Sequence, residues 1–200
     1  MYIVSILMQI FFVTFVHLLN RRDYPSISVQ LFPMNVLIYF IVIYGDPSLF
    51  PPFMVEDFFL TILDDCSRCT WVYLLKHKSQ TTSYLDQFCT MVETQFARKV
   101  KCIRSDNGTE FFLKDLFTKK GILHQLSCVE TPQQNAVVER KHQHILNVAR
   151  ALKFQSNLPL HLWGYCILTT VYLINKLPSS ILNQKILHEV LFSHPPTYSH

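Results

Sequence analysis

The sequence predicts one α/β domain, a mixed sheet with helices packed on it, and three observations carry that prediction. Two runs of β-branched and aromatic residues, Phe58 to Leu63 and Thr70 to Leu75, flank a short polar turn, which is the pattern of an antiparallel hairpin. Apolar residues then recur at helical spacing, at Tyr84, Phe88, Met91, Val92 and Phe96, so one helix face packs on the sheet. Finally, a short apolar run from Val100 to Arg104 stops at the turn Ser105-Asp106-Asn107-Gly108, as a buried strand would.

The remaining elements follow in chain order. Ser79 is the expected N-cap of the first helix. Leu113 to Lys120 reads as a short helix closed by Gly121, and Ile122 to Leu126 as another strand. A polar loop, Ser127 to Gln134, leads into a long helix from about Asn135 to Lys153. Asn157-Leu158-Pro159 breaks it, and Leu160 to Leu177 forms a last apolar helix ended by Pro178. Beyond that the turn signals are weak. Hairpin, helix, strand, short helix, strand and helices in that order define the mixed sheet.

Composition narrows the class. The 200 residues suffice for one ordinary domain, and 50% apolar with 14% aromatic content excludes a chain disordered throughout. The net charge of +4 suits a polyanion-binding surface. Residues 1–60 carry only Arg21 and Arg22 as cations, and Lys76 to Lys153 holds most of the rest. The six cysteines are irregularly spaced, so a reducing compartment is the default. Cys66 and Cys69 form a C-x-x-C, read as two residues flanking a turn rather than a metal or redox site.

Residues 1–45 stand apart from residues 46–200. Ile3 to Leu19 is almost wholly apolar and stops at Asn20-Arg21-Arg22, and a second run, Val36 to Tyr44, is rich in Ile, Val and Tyr. The first run sits at the lower limit for spanning a bilayer about 30 Å thick. It is either a single anchor helix, with Arg21 and Arg22 on the cytosolic side, or a buried or spurious segment.

The chemistry-bearing residues lie further on. Asp106 follows a strand, and Gly108 lets the backbone turn away so that the carboxylate faces outward. Taken alone, Asp-Asn-Gly is an ordinary turn. The following Glu110-Phe111 and the later Glu139, on the long helix, change that balance. Residues advance about 100° each along a helix. Val138, Ile145, Ala149 and Leu152 make the core stripe, and Glu139, Gln143 and Arg150 border it. Arg140, Lys141, His142 and His144 surround the remaining faces. A carboxylate at a strand end, paired with one on a later helix, suits metal-dependent phosphoryl transfer, in which hard oxygen ligands hold two Mg²⁺ ions. Glu139 also favours the helix dipole in the first turn. Asp64 and Asp65 are read as turn and cap residues.

These blocks resemble the integrase core of Copia-type LTR retrotransposons. The likeness rests on Ile62-Leu63-Asp64-Asp65-Cys66-Ser67-Arg68, Thr70-Trp71-Val72-Tyr73-Leu74-Leu75, Arg104-Ser105-Asp106-Asn107-Gly108, Thr131-Pro132-Gln133-Gln134-Asn135 and Val138-Glu139-Arg140-Lys141-His142. It continues through Ala149-Arg150-Ala151-Leu152, Trp163-Gly164 and Tyr172-Leu173-Ile174-Asn175-Lys176-Leu177-Pro178. The resemblance implies a ribonuclease-H-like mixed sheet flanked by helices and a D,D-E carboxylate triad. It also implies two Mg²⁺ or Mn²⁺ ions, and strand transfer of element ends into a target duplex. Asp106 resembles the second aspartate and Glu139 the glutamate, both as catalytic residues and as metal ligands. The first aspartate falls in a family segment reading Asp, apolar, Trp, Gly, Pro. Its nearest text here is Val42-Ile43-Tyr44-Gly45-Asp46-Pro47, which sets Val42 at the aspartate position. Ala136 replaces a family glycine, and the family's zinc-binding module has no counterpart in residues 1–41.

Three functional readings follow. The first is an integrase, a polynucleotidyl transferase weakened or inactivated by the missing aspartate and encoded by a truncated, degenerate element copy. Its partners would be DNA and further copies of itself, in the nucleus or cytoplasm. The second is an inactive nucleic-acid-binding remnant that holds phosphates through Arg140, Lys141 and Arg150, with Lys99 and Lys101. The third, ranked last, is a membrane-anchored protein resting on the apolar runs of residues 1–45.

Overall fold

The computed structural model describes residues 39–45, 58–106, 108–127 and 136–192, and only the backbone of Tyr39, Tyr44, Gly45 and Leu160. Five strands form one sheet in the order β3-β2-β1-β4-β5. They are β1 (Tyr39–Gly45), β2 (Phe58–Asp64), β3 (Thr70–Leu75), β4 (Cys102–Ser105) and β5 (Leu123–Leu126). β1, β2 and β3 pair antiparallel, whereas β1, β4 and β5 run parallel. The sheet is therefore mixed, as the sequence predicts. β1 is its middle strand, so the last seven residues of the segment set apart as 1–45 are built into the sheet. The rest of that segment, residues 1–38, lies outside the described residues, and so does the anchor reading of Ile3 to Leu19. Among the described residues no helix is long and apolar enough to cross a membrane.

Side chains alternate between the faces of a strand, and the two faces of this sheet carry different layers. On one face Phe40, Val42, Leu60, Ile62 and Ile103 pack with the buried stripe of helix α1 (Thr81–Phe96) and with α2 (Lys114–Lys120). Phe88 meets Phe40 edge-on at 4.9 Å between ring centroids, a favoured aromatic geometry. Lys120 reaches Asp86 at 2.9 Å and ties α2 to α1. On the other face lie α3 (Ala136–Ser156) and α4 (Trp163–Asn175), with Phe59, Ile145, Ala149, Trp163 and Ile167 forming the core between them and the sheet. Asn175 pins the end of α4 to the start of β3, accepting from Thr70 N at 3.0 Å and donating to Thr70 O at 2.7 Å. A two-stranded ribbon, β6 (Pro178–Ser179) and β7 (Lys185–Ile186), and a short α5 (Leu187–Phe192) complete the described chain.

Local chemistry explains where boundaries moved from expectation. Ser79 does not cap α1: it lies in a 3-10 turn, Lys78–Gln80, in which Gln80 Oε1 accepts from the backbone N–H groups of Lys76 and His77. Gly121 takes the left-handed conformation, φ 66°, that closes α2 as expected. Pro178 ends no helix directly, since α4 stops at Asn175 and the chain turns into the β6–β7 ribbon.

Candidate carboxylate site and its surroundings

The hairpin block holds its acidic residues for structure. Asp64 is fully buried, and its Oδ2 accepts from Ser67 N at 2.8 Å and Ser67 Oγ at 2.6 Å. Asp65 pairs with Arg68 at 2.8 Å. Both keep the turn duty read from the sequence. Cys69 is buried in the core and Cys66 is exposed. Burial, with Asp64 nearby, pushes the Cys69 thiol up to about 12, so it stays protonated and inert.

Asp106 stands at the carboxyl end of β4, where α/β sheets place their sites. It is half-buried, and its Oδ1 accepts from Gly108 N at 3.0 Å, which fixes the carboxylate against the turn. Gly108 matters for space: an added Cβ would lie 2.9 Å from Glu110 Oε2 and 3.0 Å from Asp106 Oδ1. The Asp106 and Glu110 side chains thus converge on one small residue. The sequence marks Glu110, four residues beyond Asp106, as part of the same block but gives it no role of its own. Glu110 accepts from Lys78 Nζ at 2.9 Å. Burial works to raise its pKa, but its own backbone N–H and the Lys78 ammonium outweigh that and leave it below the ordinary carboxylate range.

Glu139 sits in the first turn of α3 and is exposed. Its predecessor Val138 is buried against Ile41 and Leu63, with Ile43 and Val137 packed around them. The first turn of α3 therefore lies on β1, beside the strand that leads to Asp106. The core stripe of α3 matches expectation at Val138, Ile145, Ala149 and Leu152, and it also contains His142 and Leu146. His142 is a correction, because the sequence placed it among the solvated faces. Its ring stacks on Phe59 at 4.6 Å with 6° between planes, and Nδ1 lies 3.3 Å from Thr61 Oγ1. Burial pulls its pKa down to about 4, so it is neutral near pH 7.

The position of the first aspartate needs a second correction. Val42 pairs with Ser105 on β4 and Ile62 on β2. Its side chain is 1% exposed and belongs to the α1 face, with Phe40, Ile62 and Ile103. An aspartate there would enter the apolar core on the opposite face from Glu139. Ile43, like Ile41, faces α3. It pairs with Thr61, whose hydroxyl meets His142, and it packs on the Val138 cluster. It also stands one rung beyond the Val42–Ser105 pair, level with Asp106. A strand has period two, so a slip of one residue in an alignment exchanges the faces. Gly45-Asp46-Pro47, which replaces the family's adjacent Gly and Pro, is the place where such a slip arises.

These donors do not fit a two-ion site. Among the described residues no three His, Cys, Asp or Glu side chains gather closely enough to hold a metal ion. Ile41 and Ile43, the β1 side chains described facing α3, supply no oxygen ligand.

The basic residues named from sequence divide between the flanks of α3. Arg150 lies toward the Glu139 flank and donates to Asn147 Oδ1 at 3.5 Å, while its Nη2 is shielded and unpartnered among the described residues. Arg140 and Lys141 lie on the other flank and line a pocket with Arg68 and His144. Lys99 and Lys101 are exposed between α1 and β4.

The fold so assembled, a mixed five-stranded sheet flanked by helices, is ribonuclease-H-like. A solved structure, the simian T-cell lymphotropic virus intasome in complex with PP2A regulatory subunit B56 gamma, superposes at a TM-score of 0.63 and 15% identity. That match covers 90% of this chain and 62% of the other. In sequence, the chain is homologous to a segment of Copia-type retrotransposon Pol polyproteins. It is 35% identical over 159 residues to the retrovirus-related Pol polyprotein from transposon RE2 of Arabidopsis thaliana, a match covering 78% of this chain. It is 37% identical over 148 residues to that from transposon TNT 1-94 of Nicotiana tabacum, covering 72%. With transposon RE1 of Arabidopsis thaliana the identity is 35% over 142 residues and 70% of the chain. The chain spans about a tenth of the length of these curated relatives, 10% or 11% in each case. No protein-family model matches it.

Proposed function

We propose that this chain is an integrase-type core that binds DNA and whose metal-dependent strand transfer is impaired by an apolar residue at the first carboxylate position. In this reading Asp106 and Glu139 are the remaining catalytic carboxylates and metal ligands, and Arg140, Lys141 and Arg150 hold phosphates of the element ends and target duplex. An intact site of this kind would hold two Mg²⁺ or Mn²⁺ ions, and an active assembly would contain several copies of the chain. The observation that carries the reading is the convergence of the β4 end and the first turn of α3 on β1, with isoleucine at the shared position.

What the chain's own residues do follows from their surroundings. Gly108 N holds Asp106 Oδ1 in place, and Lys78 keeps Glu110 ionised beside it. Val138, seated on Ile41 and Leu63, fixes the turn that presents Glu139. Loss of one catalytic group commonly lowers rate by several orders of magnitude. The test is strand transfer on short duplex ends with Mg²⁺ or Mn²⁺. We expect little or no product from the natural chain, a gain with Ile43→Asp, and no gain with Val42→Asp. Loss of the gain on adding Asp106→Asn would tie it to the same site. If folded Ile43→Asp gains nothing, the impairment has another cause.

The inert binding remnant is the second reading, favoured by the incomplete donor set. It differs in one measurement: Ile43→Asp would leave it a binder without chemistry.

A further inference from the structure

On the flank of α3 away from Glu139 lies a pocket of about 620 Å³, walled by α3, the end of α4 and the β6–β7 ribbon. That volume is far larger than a phosphate and falls in the usual range for a small-molecule site. One wall carries Arg68, Arg140, Lys141 and His144, and no acidic side chain lines the pocket among the described residues. Lys141 is half-buried, and it has no ion pair or hydrogen bond among the described residues. A shielded cation beside the Arg68 guanidinium is held against both desolvation and like-charge repulsion, and a bound anion relieves both. The rest of the lining is mostly aliphatic, with Ser179 and Ser180 among it, and it includes exposed side chains: Leu177 is 56% and Ile181 72% exposed.

We propose that this pocket takes one nucleotide of a single-stranded nucleic acid, its phosphate on Lys141, Arg140 and Arg68 and its base against the aliphatic wall. The cations select the phosphate. The size and the apolar wall select an unpaired base, because a base stacked within a duplex cannot enter. The site deepens the DNA-binding part of the proposed function but is independent of the carboxylates.

The test uses the full chain with EDTA present, so that binding is read without chemistry. The anisotropy of a short labelled oligothymidylate reports affinity for the natural chain, Lys141→Met, Ile181→Glu and Lys114→Gln, the last an exposed cation on α2. We expect Lys141→Met to weaken binding about tenfold and to lower the salt slope by about one. Ile181→Glu should weaken it too, and Lys114→Gln should change it less than about twofold. A matched duplex should lose far less on Ile181→Glu, since Lys141 meets phosphates of either form while only an unpaired base reaches the apolar wall. Methionine retains the length of the lysine stem, and thermal unfolding of each variant verifies that it is folded. Unchanged affinity in folded Lys141→Met, or equal losses in Lys141→Met and Lys114→Gln, would overturn the site. Equal losses for duplex and single strand on Ile181→Glu would overturn its assignment to an unpaired base. Neither result depends on strand transfer, so the carboxylate reading stands or falls separately.

Discussion

Val42 and Ile43 are neighbours on β1, apolar and similar in size, yet they belong to different parts of the molecule. Val42 looks into an apolar layer of aliphatic, aromatic and sulfur-bearing side chains, closed by α1 and α2. Ile43 looks toward α3, where the layer already contains a hydroxyl and an imidazole, Thr61 and His142, and where the first turn of the helix opens to solvent at Glu139. The difference teaches that a strand decides where a functional group can stand by parity as much as by position. One face tolerates only packing; the other can accept a charge at its rim.

The largest effect that would break this comparison is the introduction of that charge. Val42→Asp should destabilise the fold by about 4 kcal/mol or more, since a carboxylate enters a dry core without a partner. Ile43→Asp should cost about 1–2 kcal/mol at its half-buried position. Urea unfolding of both variants checks the contrast. Equal losses would mean that the two faces are not distinct.

Acid should expose the polar character of the α3 face next. The His142 pKa lies near 4 in the folded chain, against an ordinary value of 6.5. The unfolded chain therefore binds the proton more readily between those values. Stability should be highest above pH 6.5 and fall as the pH drops toward 4, by at most about 3 kcal/mol. His142→Leu should flatten that slope in unfolding curves taken across the range. An unchanged slope would place the acid sensitivity elsewhere.

Smaller effects test the packing around both layers. Gly164 in α4 leaves room for Leu74, whose Cδ1 would lie 2.7 Å from an added Cβ. Gly164→Ala should cost about 1 kcal/mol, the leucine tip yielding part of the strain, as a modest fall in Tm would report. Smallest of all, Lys78→Met removes the partner of Glu110 and should change stability by less than about 1 kcal/mol, while the Glu110 pKa rises. Carboxyl NMR titration reads that rise.

Most of the fold was legible because its elements are strongly patterned. The hairpin shows β-branched and aromatic runs around a polar turn, and α1 and α3 show clear apolar spacing. β1 was harder to read. A middle strand is buried on both faces and looks like a continuous apolar run, the same signal a membrane segment gives. His142 escaped because a histidine among Arg140, Lys141 and His144 reads as solvated; only the facing Phe59 and Thr61 draw it inward. Of the proposed site, Asp106 and Glu139 are named by their sequence blocks. The face on which a first carboxylate would stand is not, because it depends on the register between β1 and β4, and no single strand carries that information.

The most direct test is Mn²⁺ binding measured by calorimetry on the natural chain, Ile43→Asp and Val42→Asp, each with and without Asp106→Asn. Ile43→Asp should bind Mn²⁺ more tightly than the natural chain, and Asp106→Asn should abolish the gain. Tighter binding in folded Val42→Asp, with none in Ile43→Asp, would contradict the placement of the first carboxylate at Ile43.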